Sequence, residues 1–329
     1  MTQFRRRQFL IVGGALLIAR PKANATEQGK VWRMGYVHLR SGPSERDEAF
    51  RAELRRLGYI EGRNLAIVDR WTSGSLDRLP EIAAEFVQLK VDAIVVSSTQ
   101  ATDAARRVTS AIPIVMTGVG DPVGSGLIQT LARPGGNVTG VSTTVADLSG
   151  KRLELLRDLL PHATKIGVLA GGSPAGDTHR LLEPVRVAAQ KLNFELIVEY
   201  AKTVTDYPKA IENIRRKAAH GLILFRMGPG ALDNRKLLVT LVVKERLPAI
   251  YDLQEFVNVG GLMSYGYNVS ELYRRAASYL DRIFNGARPA DLPVEQPTKF
   301  ELVINAKAAA DIGLRIPQSL LIRADRLIE

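Results

Sequence analysis

No cysteine occurs anywhere in this 329-residue chain. That excludes a disulfide framework, a thiolate nucleophile, a Cys-based metal site and the lipid-modified cysteine that tethers many exported proteins to a membrane. Histidine is nearly as scarce. The four present, His38, His162, His179 and His220, form no HExxH or comparable metal spacing and read as surface or capping residues. No G-x-S-x-G elbow is present, so a serine nucleophile would need a triad assembled from distant residues. A basic stripe laced with aromatics is also missing. Charges are interspersed, as in Arg51, Glu53, Arg55 and Arg56, which describes a solvated surface rather than a nucleic-acid footprint.

Phosphate motifs come close and fail. Gly171-Gly172-Ser173-Pro174-Ala175-Gly176-Asp177-Thr178 has P-loop glycine spacing, but Asp177 stands where a lysine must meet phosphate and would repel it. Gly118-Val119-Gly120-Asp121 follows a strand-like run, yet position 123 is Val where a dinucleotide fingerprint needs its third glycine. Neither a nucleotide cofactor nor a metal is expected.

What is present begins at the start of the chain. Arg5-Arg6-Arg7 precede an apolar run from Phe9 to Ala19, and Ala23-Asn24-Ala25 follows with small residues at both positions a signal peptidase reads. Residues 1–25 are therefore expected to be a cleaved signal peptide, leaving Thr26 first and placing the protein in the periplasm. A membrane anchor needs roughly 18 or more apolar residues, and Gly13-Gly14 and Arg20 interrupt this run too soon. Arg6-Arg7 with Phe9-Leu10 also resembles a twin-arginine export signal. Without the leader, 40 Lys and Arg face 34 Asp and Glu, so the exported part is only mildly basic.

From Val31 onward, short β-branched runs alternate with amphipathic stretches, the pattern of parallel sheets covered by helices. Strands are expected to start near Val31, Leu65, Asp92, Ile112 and Val138, and again near Lys165, Phe194, Gly221, Ala249 and Leu262. The first helix starts at Ser44 with Asp47 three residues on, like a capping box, and presents Phe50, Leu54 and Leu57 on one face. Leu79, Ile82, Phe86 and Leu89 mark the next. In the second half the helical faces are Leu181, Leu182, Val185 and Leu192; then Ile211, Ile214 and Ala218; then Leu237, Leu238 and Leu241.

A helix over 147–160 opens the second series after an extended crossing near Val141, and 270–285 reads as one good helix. Residues 289–297 form an extended Pro-rich stretch, followed by a strand from Phe300 and a short helix from Ala306. This tail is too small to bury its own core and must pack on the two lobes. The expected fold class is α/β, two Rossmann-like doubly wound lobes joined by a multi-strand hinge. The first lobe takes 30–143 and about 270–292, the second 144–269 and about 298–329.

In doubly wound sheets a ligand sits beyond the carboxyl ends of the strands, where loops and helix N-termini offer unpaired donors. The first lobe supplies Ser41, then Ser97, Ser98 and Thr99, then Thr117 and Asp121; the second supplies Ser173, Arg226, Tyr251 and Tyr265. Asp121 is a candidate acceptor for a buried ammonium and Arg226 a donor to a carboxylate, which suits a small polar or amino-acid-like ligand. Helix capping explains many of these hydroxyls equally well, and half-buried packing the two tyrosines.

Several ordered blocks resemble one family. They include Leu57-Gly58-Tyr59-Ile60-Glu61-Gly62, Asp121-Pro122-Val123, and Arg133-Pro134-Gly135-Gly136-Asn137-Val138-Thr139-Gly140. Further on come Lys151-Arg152-Leu153-Glu154-Leu155-Leu156, Gly260-Gly261-Leu262-Met263-Ser264-Tyr265-Gly266, and Gln296-Pro297-Thr298-Lys299-Phe300-Glu301. Across 26–329 the chain is similar to the substrate-binding proteins of ABC transporters in the tryptophan/tyrosine-type group. That resemblance implies a type I periplasmic binding-protein fold, hinge closure on a small-molecule ligand, and delivery to a membrane permease driven by a cytoplasmic ATPase. It implies no catalysis and no cofactor, and a hinged cleft works as a monomer without nucleic acid. The chain departs from the family's usual pattern at Gly171-Gly172-Ser173-Pro174 and at Gly228-Pro229-Gly230, both at strand ends. Two alternatives stay open: an exported α/β hydrolase using Ser98 or Asp121, and a ligand-sensing partner of a membrane receptor.

Overall fold

The computed structural model describes residues 30–143, 148–174, 182–225, 227 and 229–329. The expected leader, Arg226, His179 and Leu181 lie outside the described residues. Residues 31–329 form one compact unit.

Its first sheet has the order β2-β1-β3-β4-β5, all parallel: β1 Trp32–His38, β2 Leu65–Trp71, β3 Ala93–Val96, β4 Ile114–Val119 and β5 Val138–Ser142. β3, Ala93-Ile94-Val95-Val96, is buried throughout, as a central parallel strand covered on both faces must be. The second sheet has seven strands in the order β12-β11-β10-β9-β8-β6-β7. These are β6 Lys165–Gly171, β7 Glu195–Ala201, β8 Gly221–Phe225, β9 Ala249–Tyr251, β10 Met263–Tyr267, β11 Phe300–Asn305 and β12 Arg326–Ile328. Among the described residues, only β10 and β11 pair antiparallel.

Helices cover both sheets. Ser44 caps Glu45–Arg56 through a capping box closed by Asp47, which satisfies two backbone donors that the first turn leaves open. This helix packs on Val269–Phe284, whose stripe of Leu272, Ala276, Leu280 and Ile283 at helical spacing joins Phe50, Leu54 and Val115 in one core. A helix late in the chain thus completes the first lobe. The tail after Val294 instead joins the second: Leu302 and Ile304 share a core with Leu153, Ile166 and Ile223.

Three segments therefore pass between the lobes. One follows β5, one links β10 to the Val269–Phe284 helix, and one runs from Val294 to β11. The first and third are tied together, because Glu295 N donates to Gly140 O at 3.1 Å and Ser142 N donates to Glu295 O at 2.8 Å.

Three expectations change. β12 is an unforeseen strand, three residues long with two exposed, too short and too polar to register as alternation. The helix Arg235–Lys244 turns Leu238, Val239 and Val242 inward and leaves Leu237 44% exposed, so its buried face lies one residue later than expected. Thr99–Val108, whose polar sequence hides its three buried positions, is an additional helix after β3.

Candidate functional site

Residues at or just beyond the carboxyl ends of strands in both sheets line one cavity of about 210 Å³. Leu39, Arg40, Ser97 and Thr117 come from the first lobe, and Met227, Asp252 and Leu253 from the second. Tyr267, the last residue of β10, and Tyr273 close its base. A side chamber of about 340 Å³ opens between residues 40–46 and Leu232, Arg235 and Glu255. The mouth, about 960 Å³, is lined by Ser41, Ser97, Ser98, Thr99, Asp233 and Asn234 among others. Arg40 borders the first two and Ser97 the first and third, so the three are parts of one cleft between the lobes.

A buried charge network fixes the first-lobe wall. Arg40 is 7% exposed and pairs through Nη2 with Asp47 Oδ2. The same Asp47 carboxylate accepts from Ser44 N at 2.7 Å, Ser44 Oγ at 2.8 Å and Tyr36 Oη at 3.3 Å. Burial pushes the Asp47 carboxyl up, but the Arg40 guanidinium and Ser44 outweigh that and hold it below the usual carboxylate range. The pair costs desolvation, which these extra hydrogen bonds offset. His38 stacks on Trp71 with ring centres 3.7 Å apart and bonds through Nε2 to Asp69 Oδ1 at 2.8 Å; burial holds its pKa below the ordinary histidine value.

The second-lobe wall carries Asp233, Asp252 and Glu255 beside Arg235. Burial pushes the Asp252 carboxyl up, and the Arg152 guanidinium counteracts part of that. Burial likewise raises Glu255, with its own backbone N–H and Arg46 pulling the other way. Gly266 makes this wall possible: a Cβ there would stand 1.9 Å from Asp252 O, so only glycine lets β10 pass that loop. Tyr267 and Thr143 line the same cavity, and the Tyr267 hydroxyl is pushed up to about 12, chiefly by burial and then by Asp252.

Paired lobes that line one partly apolar cleft with charged groups of both signs describe a small-molecule receptor. A family model for ABC transporter substrate binding proteins matches residues 41–328. The chain belongs to this substrate-binding family. It is 29% identical over 283 residues to the tyrosine-binding protein of Clostridioides difficile strain R20291, covering 85% of this chain and 80% of that one. The crystal structure of a conserved domain protein from Vibrio cholerae matches with a TM-score of 0.79 at 27% identity, over 91% of this chain and 100% of the other. An ABC domain in complex with L-Trp from Streptococcus pneumonia shares the fold with a TM-score of 0.79 at 24% identity, over 90% and 99%.

Within this substrate-binding fold, Ser41, Ser97, Ser98, Thr99 and Thr117 line the cleft. Several hydroxyls also have structural work. Ser98 Oγ caps its helix by accepting from Ala101 N at 3.0 Å, and Thr117 Oγ1 donates to Val96 O at 3.3 Å. No described histidine is hydrogen-bonded to Ser98, and the family is one of solute-binding proteins rather than an enzyme class.

Four expected contacts stand elsewhere. Asp121 sits at φ +33° and folds back to accept from Gly124 N at 2.8 Å, forming a turn outside the cavity linings. Ser173 is exposed beyond β6. Tyr251 is fully buried and stacks on Phe256 with ring centres 5.0 Å apart, while its hydroxyl finds no partner among the described residues. Tyr265 packs beside Phe300 against the second-lobe core, two residues short of the strand end where Tyr267 meets the cleft. Arg226 lies outside the described residues.

Arg40, Arg46, Asp252, Glu255 and Tyr267 are the cleft residues that strand-end reading missed. Arg40 and Asp252 each lie beside a residue chosen from the sequence, Ser41 and Tyr251. Among the described residues, no group of His, Asp and Glu side chains is arranged to hold a metal ion, and no helix is long and apolar enough to cross a membrane.

Proposed function

We propose that this protein is the periplasmic substrate-binding component of an ABC import system. It captures a small amino-acid-like ligand in the interlobe cleft, closes around it as a monomer, and delivers it to a membrane permease driven by a cytoplasmic ATPase. The observation that carries this reading is the pairing of a buried cation on one lobe, Arg40, with half-buried carboxyls on the other, Asp252 and Glu255, around a single cleft. Opposite charges held apart by apolar walls suit a zwitterion better than a sugar or a simple anion. The tyrosine-binding relative and the L-Trp complex support aromatic amino acids as the first candidates. Met227, Leu232, Leu253 and Leu272 offer an apolar wall for such a side chain.

Ser41, Ser97, Ser98, Thr99 and Thr117 are proposed to contact the ligand from the mouth and inner wall. Closure follows if the ligand binds the closed arrangement better than the open one. Removal of residues 1–25 on export places the mature chain in the periplasm.

A thermal-shift panel of the twenty amino acids tests the ligand class. L-tyrosine or L-tryptophan is expected to raise the midpoint most, because ligand at 100 times Kd adds about 2.7 kcal/mol of stability. A flat response to all twenty would remove the amino-acid reading.

A further inference from the structure

Sulfur in this protein is confined to methionine, because the chain has five methionines and no cysteine. Met1 stands in the expected leader, outside the described residues. Met34 in β1 and Met116 in β4 are 0% exposed and Met263 in β10 is 1% exposed, each inside a hydrophobic core. Met227 differs. It lies just past the end of β8, is half-buried, and packs against the second-lobe core while lining the cleft cavity beside Leu232, Leu253 and Leu272. Among the described residues it is therefore the methionine that a small solute entering the cleft can reach. A thioether is soft, apolar and adaptable, which suits it to such a wall, and it is also the group that peroxides oxidise when no thiolate competes for them.

We propose that Met227 is a reversible oxidation site through which peroxide turns down ligand capture. The sulfur lone pair attacks one oxygen of hydrogen peroxide; an S–O bond forms, the O–O bond breaks, and the proton of the transferred oxygen leaves with the departing hydroxide as water. Sulfur gives up two electrons and the peroxide takes them. The product is the sulfoxide, which a methionine sulfoxide reductase returns to the thioether at the expense of two thiols, yielding a disulfide and water. In the oxidised protein an S–O dipole stands in a wall that Leu232, Leu253 and Leu272 otherwise keep apolar, and an apolar ligand group pressed against it leaves that oxygen without a hydrogen bond. Affinity falls as a result. The effect on capture rests on the amino-acid reading of the cleft above, whereas the modification itself follows from exposure and chemistry alone.

Peptide mass analysis of the full chain, after timed exposure to hydrogen peroxide and quenching with catalase, reads the site. Met227 is expected to gain one oxygen at least about 10-fold faster than Met34, Met116 or Met263, since core residues react only when the fold opens. L-tyrosine, or whichever of the twenty amino acids gives the largest thermal shift, is then titrated before and after oxidation. Oxidation should weaken it at least about 10-fold, the scale of burying one polar group without a partner, and sulfoxide reductases A and B with dithiothreitol should restore it. Met227→Leu removes the sulfur but keeps an apolar side chain; whatever affinity that variant has, peroxide should change it by less than about twofold. Oxidation of Met227 no faster than the core methionines, or an equal loss of affinity in Met227→Leu, would overturn the proposal. Selective oxidation with affinity unchanged would overturn it as well. Binding of none of the twenty would overturn the amino-acid reading, and the mass analysis would still decide whether Met227 is the oxidation site.

Discussion

Replacing Asp47 with alanine is expected to lower the stability of the fold by about 3–5 kcal/mol, the range for removing one partner of a buried ion pair. The Asp47 side chain is 2% exposed, and its loss leaves the Arg40 guanidinium buried beside an apolar methyl. The same change removes the capping box at Ser44, worth about 1 kcal/mol in its own right. Asp47→Asn keeps acceptors for Ser44 but not the charge, and should fall between the two. The sign of the pH dependence follows from the same geometry. Asp47 and Asp69 are held below their ordinary range, so their contribution is present above the unfolded carboxyl value of about 3.9 and is lost as pH falls through the folded values. Asp47→Ala should therefore unfold with a shallower acid dependence as well as a lower midpoint. Denaturant melts between about pH 3 and 7 check both; a variant within 1 kcal/mol of the parent would show that the network does not anchor Arg40.

Gly140→Ala is expected to be comparably severe. Gly140 sits in β5 at φ +122°, and a Cβ there would stand 2.4 Å from Met116 O and 2.6 Å from Met116 N, both backbone atoms of the neighbouring strand β4. No rotamer change relieves a clash between backbones. Strain at such a φ costs about 1–3 kcal/mol and overpacking about 1–3 more. The sum is a midpoint lower by roughly 10 °C at about 2–4 °C per kcal/mol. The damage should also reach function, because β5 leads directly to Thr143, which lines the cleft together with Tyr267. A thermal midpoint unchanged within 2 °C would contradict the close β4–β5 approach.

The lobes were legible in the sequence because their signals are local. β-branched runs, the Ser44–Asp47 spacing and the Leu272, Ala276, Leu280, Ile283 stripe each specify an element without knowledge of its neighbours. The cleft was legible only in outline. The rule that ligands gather at strand ends found Ser97, Ser98 and Thr117, whose positions follow from β3 and β4 alone. It selected Tyr251 over Asp252, although successive residues at a strand end point to opposite sides, and the tyrosine belongs to the core. It took Tyr265 rather than Tyr267, which shares the same strand face but lies about 6.6 Å further along. Arg40 and Glu255 carry no local signature, since their significance is that one stands across from the other. Lobe apposition, set by three crossings distant in sequence, cannot be read from spacing along the chain.

Amide hydrogen exchange of the full chain, with and without a saturating amino acid, measures most directly whether the cleft is the substrate site. Slowed exchange is predicted at residues 39–47 and 97–100 in the first lobe together with 251–257 in the second, since one ligand must order both walls at once. Protection confined to a single lobe, or appearing only on a surface away from Arg40 and Glu255, would contradict it.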